Sequence, residues 1–412
     1  MNKAGKSGLF YGYIVVLAGF LIWVGAWGMS STFGVFFTVL LDEFGWSRAM
    51  LSGATALMAV LIGVTGIITG RITDRFGPRR VITAGGLLLL AGYLLLSRFN
   101  AVWQFYILYG FFIGVGLGAI VIPVMSTVSR WFVKRRGIVT GITQAGAGIG
   151  GIIVVPLAGR LILDYGWRNS YVILGIITTA IIVLATQFIK RDPAQMGLVP
   201  YGEGSGDNKE PLALPEEGLS LREAIRTHQF WMVSVIFFCF GYTRSIILIH
   251  IVPHVTDMGF SLIVGANIIG VLTGMSTVGR LIFGRLADII GNRRTLIISF
   301  ILIAIILGWV AVADQLWMLY VFAAIFGLSW GSLSVMRVSI TSEIFGLGSF
   351  GVIMGIHEFM SSVGAAGGPF LSGWIFDVTG SYFSAFLISA GIGFIGLIVS
   401  WLLKPIGGKG TK

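Results

Sequence analysis

Charge is scarce in this sequence. Asp, Glu, Lys and Arg make up only 11% of it, against 56% hydrophobic residues. A soluble chain has too little interior for that much apolar side chain. Uncharged runs such as YIVVLAGFLIWVGAWGMSSTFGVFFTVLL exceed the roughly 20 residues that cross a bilayer core. The composition is that of an all-α polytopic membrane protein. Cysteine is nearly missing too: Cys239 stands alone, which excludes an internal disulfide and argues against a cysteine metal site. The sequence has no G-x-x-x-x-G-K-[S/T] loop to cradle a nucleotide's phosphates, and no Cys/His cluster with metal-ligand spacing. One G-x-G-x-x-G run, Gly146 to Gly151, lies inside an apolar span with no strand before it, so helix packing explains it better than a dinucleotide does. No enzyme activity, cofactor or metal is expected.

Acidic residues are the scarcer sign, 17 against 28 basic, for a net charge of +11. In a soluble protein that excess would suggest nucleic acid; here its placement has another meaning. Apolar runs predict twelve spans, near 11–38, 49–69, 81–98, 102–128, 138–161, 170–189, 229–254, 262–283, 295–313, 317–339, 350–373 and 383–403. Lys3, Lys6, the basic clusters at 71–80, 130–136, 190–226 and 285–294, Arg337 and the C-terminal lysines then share one side. Only Arg48, Arg98, Arg160 and Arg168 fall on the other. The positive-inside rule makes the rich side cytoplasmic, with both termini there and the chain multi-pass in the plasma membrane, the inner one in a Gram-negative cell. No nucleic-acid partner is implied; the bilayer is the partner. Arg244 and Arg280 remain, both inside spans.

The chain also repeats itself. GRITDRFGPRR from Gly70 matches GRLADIIGNRR from Gly284. The same offset carries Trp103 and Tyr106 onto Trp317 and Tyr320, and Gly141-Ile142 onto Gly355-Ile356. One register held over several spans predicts two pseudo-symmetric six-helix bundles in parallel orientation, residues 1–189 and 229–412. Between them lies a polar cytoplasmic linker, 190–228. Ser220 and Glu223 at its end have the spacing of a capping box, predicting a short amphipathic helix.

The twice-repeated G-R-x-x-D-x-x-G-x-R-R resembles the cytoplasmic loop motif of the major facilitator superfamily. The resemblance implies transport by alternating access, with substrate bound between the halves near the membrane midplane. Its glycine would permit close helix contact. Asp74, Arg75, Arg79, Arg135, Asp288 and Arg293 would tie the halves at the cytoplasmic side in one state and release them in another. RWFVKRRGIVTGITQAG (130–146) and STFGVFFTVLLDEFGWS are similar to the helix 4–5 signature and helix 1 exit of the monocarboxylate porter family. HIVPHVTDMGFS resembles a helix 7 exit shared with bacterial oxalate–formate exchangers. The family resemblance implies a proton-coupled carrier of a small monocarboxylate anion such as lactate or pyruvate, with a monomer sufficient for transport; an organic-anion exchanger is the alternative. Two departures are visible. Ser31 stands where animal members place a lysine, and Ser276 where they place an aspartate one turn before the helix 8 arginine.

Arg280 occupies the position of that helix 8 arginine, and its repeat partner is Gly66, so the fold itself asks for no cation there. An arginine in a span is costly unless it reaches water or an anion. It either snorkels or pairs with Asp288, or it grips a carboxylate with its planar fork. Arg244, opposite Ser30 in the repeat, is open between helix pairing and binding. His250 and His254 share a helix face, as hydrogen-bonding groups or as a proton relay. His357-Glu358 answers Thr143-Gln144, and Glu358 is the one carboxylate deep in a span away from the motif loops. The candidate substrate residues are therefore Arg280, His250, Ser276, Ser31 and Gln144. The candidate proton carriers are His250 and Glu358.

Overall fold

The computed structural model describes residues 10–132, 136–202, 219–346 and 349–404, apart from the side chains of Ile67, Asp74 and Arg136. Every regular element among these residues is a helix, and a single parallel bridge joins Phe132 to Tyr201. The N-terminal half runs α1 (Tyr11–Phe44), α2 (Arg48–Phe76), α3 (Pro78–Leu96) and α4 (Val102–Trp131). The continuous path Arg136–Thr186 then turns at Gly166 (φ 76°), giving α5 before that residue and α6 after it. The C-terminal half runs α7 (His228–Asp257), α8 (Leu262–Ile290), α9 (Asn292–Ala311), α10 (Leu316–Phe345), α11 (Phe350–Thr379) and α12 (Phe383–Leu402). Ten segments of the described chain are long and apolar enough to cross a membrane, with α5 and α6 counted as one. Helix α11, glycine-rich like α5 and 30 residues long, is not among these ten. The result is two six-helix bundles, and the protein is a multi-pass membrane protein.

Helix boundaries follow local chemistry. Ser47 caps α2 by accepting a hydrogen bond from Met50 N, just after Gly45 ends α1 in the left-handed region. The second glycine of each repeated motif, Gly77 and Gly291, sits at φ 84° and 90°, which side-chain-bearing residues rarely adopt. These glycines make the tight turns α2–α3 and α8–α9. The expectation of close helix contact at the motif's first glycine is corrected here. At Gly284 an added Cβ would meet nothing within 4 Å, and at Gly70 only Ile122 at 3.8 Å. The motif's demand is a turn.

Within the halves, α1 packs on the α5–α6 path and α2 on α4; α8 packs on α10, and α7 on α11. Among the described residues the main contacts between the halves are α2 with α11, α5 with α8, and the distal part of α1 with α7, with a smaller one from the distal part of α1 to α8. The glycine run of α5 explains the second. Gly146 and Gly150 press on backbone carbonyls of Phe20 and Val24 in α1, while Gly148 and Gly151 press on Thr277 and Thr273 of α8. A run with the dinucleotide spacing is thus a two-faced packing surface. At the end of the molecule that carries both chain termini, Tyr201 N bonds to Trp131 O (2.9 Å) and Leu219 N to Phe345 O (2.9 Å). The short helix Leu221–Ile225 is opened by a complete capping box from Ser220 and Glu223. Those hydrogen bonds from Ser220 hold the exposed Glu223 carboxyl below its ordinary pKa.

Candidate functional site

The two halves are in contact at one end and parted at the other. At the end opposite the termini, Arg48 at the start of α2 reaches into the C-terminal half. Its guanidinium pairs with Asp257 (2.8 Å), donates to Tyr382 Oη (2.6 Å) and lies 3.7 Å from the Phe376 ring centre. Asp377 accepts from the backbone N–H groups of Arg48 and Ala49, both at 2.9 Å, and so caps α2 from the other half. An added Cβ at Gly373 would come within 2.7 Å of Ala49 N, so α2 and α11 touch here. Nearer the termini they separate: Gly63 approaches only Ser362 Oγ, at 3.9 Å, and Gly355 and Gly351 meet nothing within 4 Å. The α5–α8 pair behaves alike, touching at Gly148 and Gly151 and free at Gly141 and Gly284. The gap between the halves therefore closes toward one end and opens toward the terminus-bearing end.

Arg280 lies at the last α5–α8 contact before that opening. Its Nη1 donates to Gln144 O at 2.7 Å, across the halves, while its buried Nε has no partner. Arg244, on α7, lies between two tryptophans, 5.6 Å from the Trp27 ring centre and 5.5 Å from that of Trp330. Its Nε is likewise buried and unpartnered. Glu358 is paired with Arg337, at 2.9 and 3.0 Å from Nη1 to its two oxygens. The guanidinium of Arg337 lies on the Phe240 and Phe237 rings, at 4.2 and 5.0 Å. In this pair the arginine side chain is 14% exposed and the glutamate 47%, so the carboxylate is the group that solvent can reach. Arg244, Arg280 and Arg337 are close enough for their charges to repel.

This corrects the assignment of Arg337 to a loop. Hydropathy fades near 339, but α10 continues to Phe345 and carries Arg337 into the packed region. The repeat register held the signal, since it sets Arg337 opposite Pro123, well inside α4. Composition gave no warning of Trp27 and Trp330, since aromatic residues in a span usually mark core or lipid contact.

The other predicted residues are placed as follows. Ser276 is buried and donates to Thr273 O (2.7 Å), and Ser31 donates to Trp27 O (2.8 Å), so each hydroxyl bonds to its own helix. His250 does not join Arg280. It belongs to the Arg48 network, with Nε2 donating to Pro369 O (2.8 Å) and Nδ1 accepting from Tyr382 Oη (2.9 Å), the tautomer these partners require. His357 is buried among Phe230, Phe237 and Phe345. Of the predicted ties at the open end, Arg79 bonds to Gln187 and Arg293 to Trp401 O, each within its own half. Arg75 lies over the adjacent Phe76 ring, and Asp288 is exposed. Among the described residues no ion pair bridges the halves at this end. The Asp74 side chain and Arg135 lie outside the described residues.

The comparisons with known proteins agree with this architecture. A solved structure of a bacterial homolog to the human lysosomal transporter Spinster, inward-facing and occupied, superposes with a TM-score of 0.77 at 13% identity, covering 97% of both chains. Monocarboxylate transporter 13 of Rattus norvegicus is 27% identical over 92% of this chain and 86% of its own length. The oxalate:formate antiporter of Oxalobacter formigenes is 26% identical, covering 93% and 90%. The family model of the Major Facilitator Superfamily matches residues 15–285 and 268–412. The chain belongs to the Major Facilitator Superfamily, and it is a membrane transporter rather than an enzyme.

Proposed function

We propose that this protein moves a small monocarboxylate, of the lactate or pyruvate kind, together with a proton by alternating access in the plasma membrane. The observation that carries the reading is Arg280: a guanidinium between the halves, with an unpartnered Nε and a backbone carbonyl in place of a counter-anion. A carboxylate there would receive the two parallel hydrogen bonds of a planar fork and the charge that Gln144 O cannot supply. The named relatives support an organic-anion substrate. With both termini cytoplasmic, the open end faces the cytoplasm and the Arg48 network closes the outer side. Residues 1–189 and 229–412 then rock as two bodies about the α2–α11 and α5–α8 contacts, joined by the linker 190–228. Asp74, Arg75, Arg79, Arg135, Asp288 and Arg293 would tie the cytoplasmic ends when the outer side opens.

An anion entering alone would work against an inside-negative potential, at about 2.3 kcal/mol per 100 mV. A co-transported proton removes that cost. Glu358 is the better carrier: it opens to the gap, and protonation would release Arg337 beside Arg280. His250, held by Pro369 O and Tyr382 Oη, is the weaker candidate. The second reading, exchange of one organic anion for another, needs no carrier and is favoured by how fully His250 is bonded. Uptake into proteoliposomes with and without an inward proton gradient separates the two. Symport predicts accumulation that follows the gradient; exchange predicts uptake that depends only on internal anion.

A further inference from the structure

We propose that Arg244 forms a second anion subsite, so that a short dicarboxylate, with one carboxylate on Arg280 and the other on Arg244, binds more tightly than a monocarboxylate. The proposal rests on the reading of Arg280 as a carboxylate site and extends it. Its first ground is a charge count. Arg244 lies over Trp330 and the Arg280 backbone against the adjacent Gly331, so two buried cations share one region, and among the described residues the carboxylate paired with any arginine there is Glu358, held by Arg337. Arg244 feels the Glu358 charge without an ion pair to it, and Arg280 has a backbone carbonyl instead of a carboxylate, a costly arrangement inside a membrane protein. A monocarboxylate would neutralise one. A dicarboxylate would neutralise both.

The second ground is the inventory of unmet polar groups. Among the buried, unpartnered polar atoms are the donors Arg280 Nε, Arg244 Nε, Trp27 Nε1 and Trp23 Nε1, together with the Thr277 hydroxyl against Gly148. A carboxylate supplies the acceptors that these N–H donors lack. The groups also lie along one path. The Trp23 and Trp27 rings are 5.9 Å apart, and Trp23 packs on Gly146, two residues from the Gln144 that bonds Arg280. Trp27 from one half and Trp330 from the other hold the Arg244 guanidinium between their faces, and the Arg280 backbone lies against Gly331, next to Trp330. The indole faces fix the cation without consuming its N–H donors, leaving them for an anion. Because Trp27 and Trp330 belong to opposite halves, an anion at Arg244 would be sensed by both.

The test is equilibrium binding to the purified full-length protein, read by calorimetry and by tryptophan fluorescence. The probes are oxalate, malonate, succinate, acetate, lactate and inorganic phosphate. At least one dicarboxylate should bind about tenfold tighter than acetate or lactate, which is about 1.4 kcal/mol, and should perturb the tryptophan emission. In Arg244→Gln the ratio of dicarboxylate to monocarboxylate affinity should fall to about one, whereas Arg280→Gln should weaken both classes. Monocarboxylates binding as tightly as every dicarboxylate would overturn the second subsite, as would equal weakening of both classes by Arg244→Gln. Phosphate as the tightest probe would also overturn it, in favour of a compact dianion. If Arg280→Gln changes neither class, the underlying reading of Arg280 fails instead. The wild-type series decides the point even if a variant does not fold.

Discussion

The two halves share one sequence register and one helix arrangement, yet they carry charge very differently. Gly66 in α2 corresponds to Arg280 in α8, Ser30 to Arg244, Pro123 to Arg337 and Gln144 to Glu358. At Gly66 even a Cβ would press on Ile122 at 2.9 Å, so the N-terminal half closes against its own α4 where the C-terminal half projects an arginine. The N-terminal half contributes Trp27, Trp23 and the Gln144 carbonyl: ring faces, N–H donors and a backbone acceptor. Fold symmetry thus sets where a site can be, and departure from symmetry sets what it binds. Both sides of the gap are needed, since a cation from one half faces rings and backbone from the other.

Removing the cation that most sharply separates the halves should have the largest effect. Arg280→Ala should lower carboxylate uptake by ~30-fold or more while leaving membrane insertion intact, in line with the about 2–5 kcal/mol lost when a buried hydrogen-bonded charge pair loses one member. Arg280→Lys should be nearly as poor, since an ammonium keeps the charge but loses the fork. Near-normal uptake by the alanine variant would remove Arg280 from the substrate site. Next in size is Glu358→Gln, which gives α11 the same residue as its counterpart on α5. It should lose acceleration by an inward proton gradient yet still exchange internal for external substrate. Gradient-driven accumulation surviving in that variant would point back to His250, to be tried as His250→Gln.

A third change acts on the contact between the halves. Gly148→Val would force a branched side chain against Thr273 and Thr277, an overpacking worth about 1–3 kcal/mol. It should lower transport about tenfold and favour the form parted at the end opposite the termini. Labelling of a cysteine placed at Thr38, where a small polar cavity borders Arg48 and Asp257, reads that opening. Arg48→Ala should raise the same labelling a few-fold, with less effect on transport, because Asp257 is 37% exposed and such pairs are individually weak. The smallest effect belongs to the linker. Glu223 has a lowered folded-state pKa, so its contribution to the short helix is present above the ordinary glutamate value and lost as pH falls through the lowered one. Hydrogen exchange at 221–225 should rise over that acid range in the native protein, and should be raised already at neutral pH in Ser220→Ala.

Much of this was legible in the sequence, for reasons that can be named. Spans declare themselves because a bilayer demands long apolar runs, and the constant repeat offset exposed Arg280 as a residue the fold does not require. The capping box is local, so four residues suffice to read it. Arg337 was misread because hydropathy weakens before the helix stops, leaving a membrane-embedded cation looking like a loop residue. The Arg48 network was invisible because Asp257, Asp377 and Tyr382 are brought to Arg48 only when the halves meet. Residue type left His250 open between a hydrogen-bonding group and a proton relay; its bond to Pro369 O is a tertiary fact. Cross-half ties were expected at the terminus-bearing end, whereas among the described residues the ion pair that joins the halves, Arg48 with Asp257, lies at the other end; a motif does not say which state of a two-state molecule is populated.

Transport, as proposed, turns on a carboxylate bound to Arg280 in the gap between the halves. The most direct measurement is a structure with a bromine-marked carboxylate such as 2-bromopropionate, locating the bromine by anomalous scattering. The ligand should lie in the gap, its carboxylate within hydrogen-bond distance of the Arg280 guanidinium and its bromine nearby. Bromine found away from the gap, with the Arg280 contact to Gln144 O unchanged and no carboxylate beside it, would contradict it.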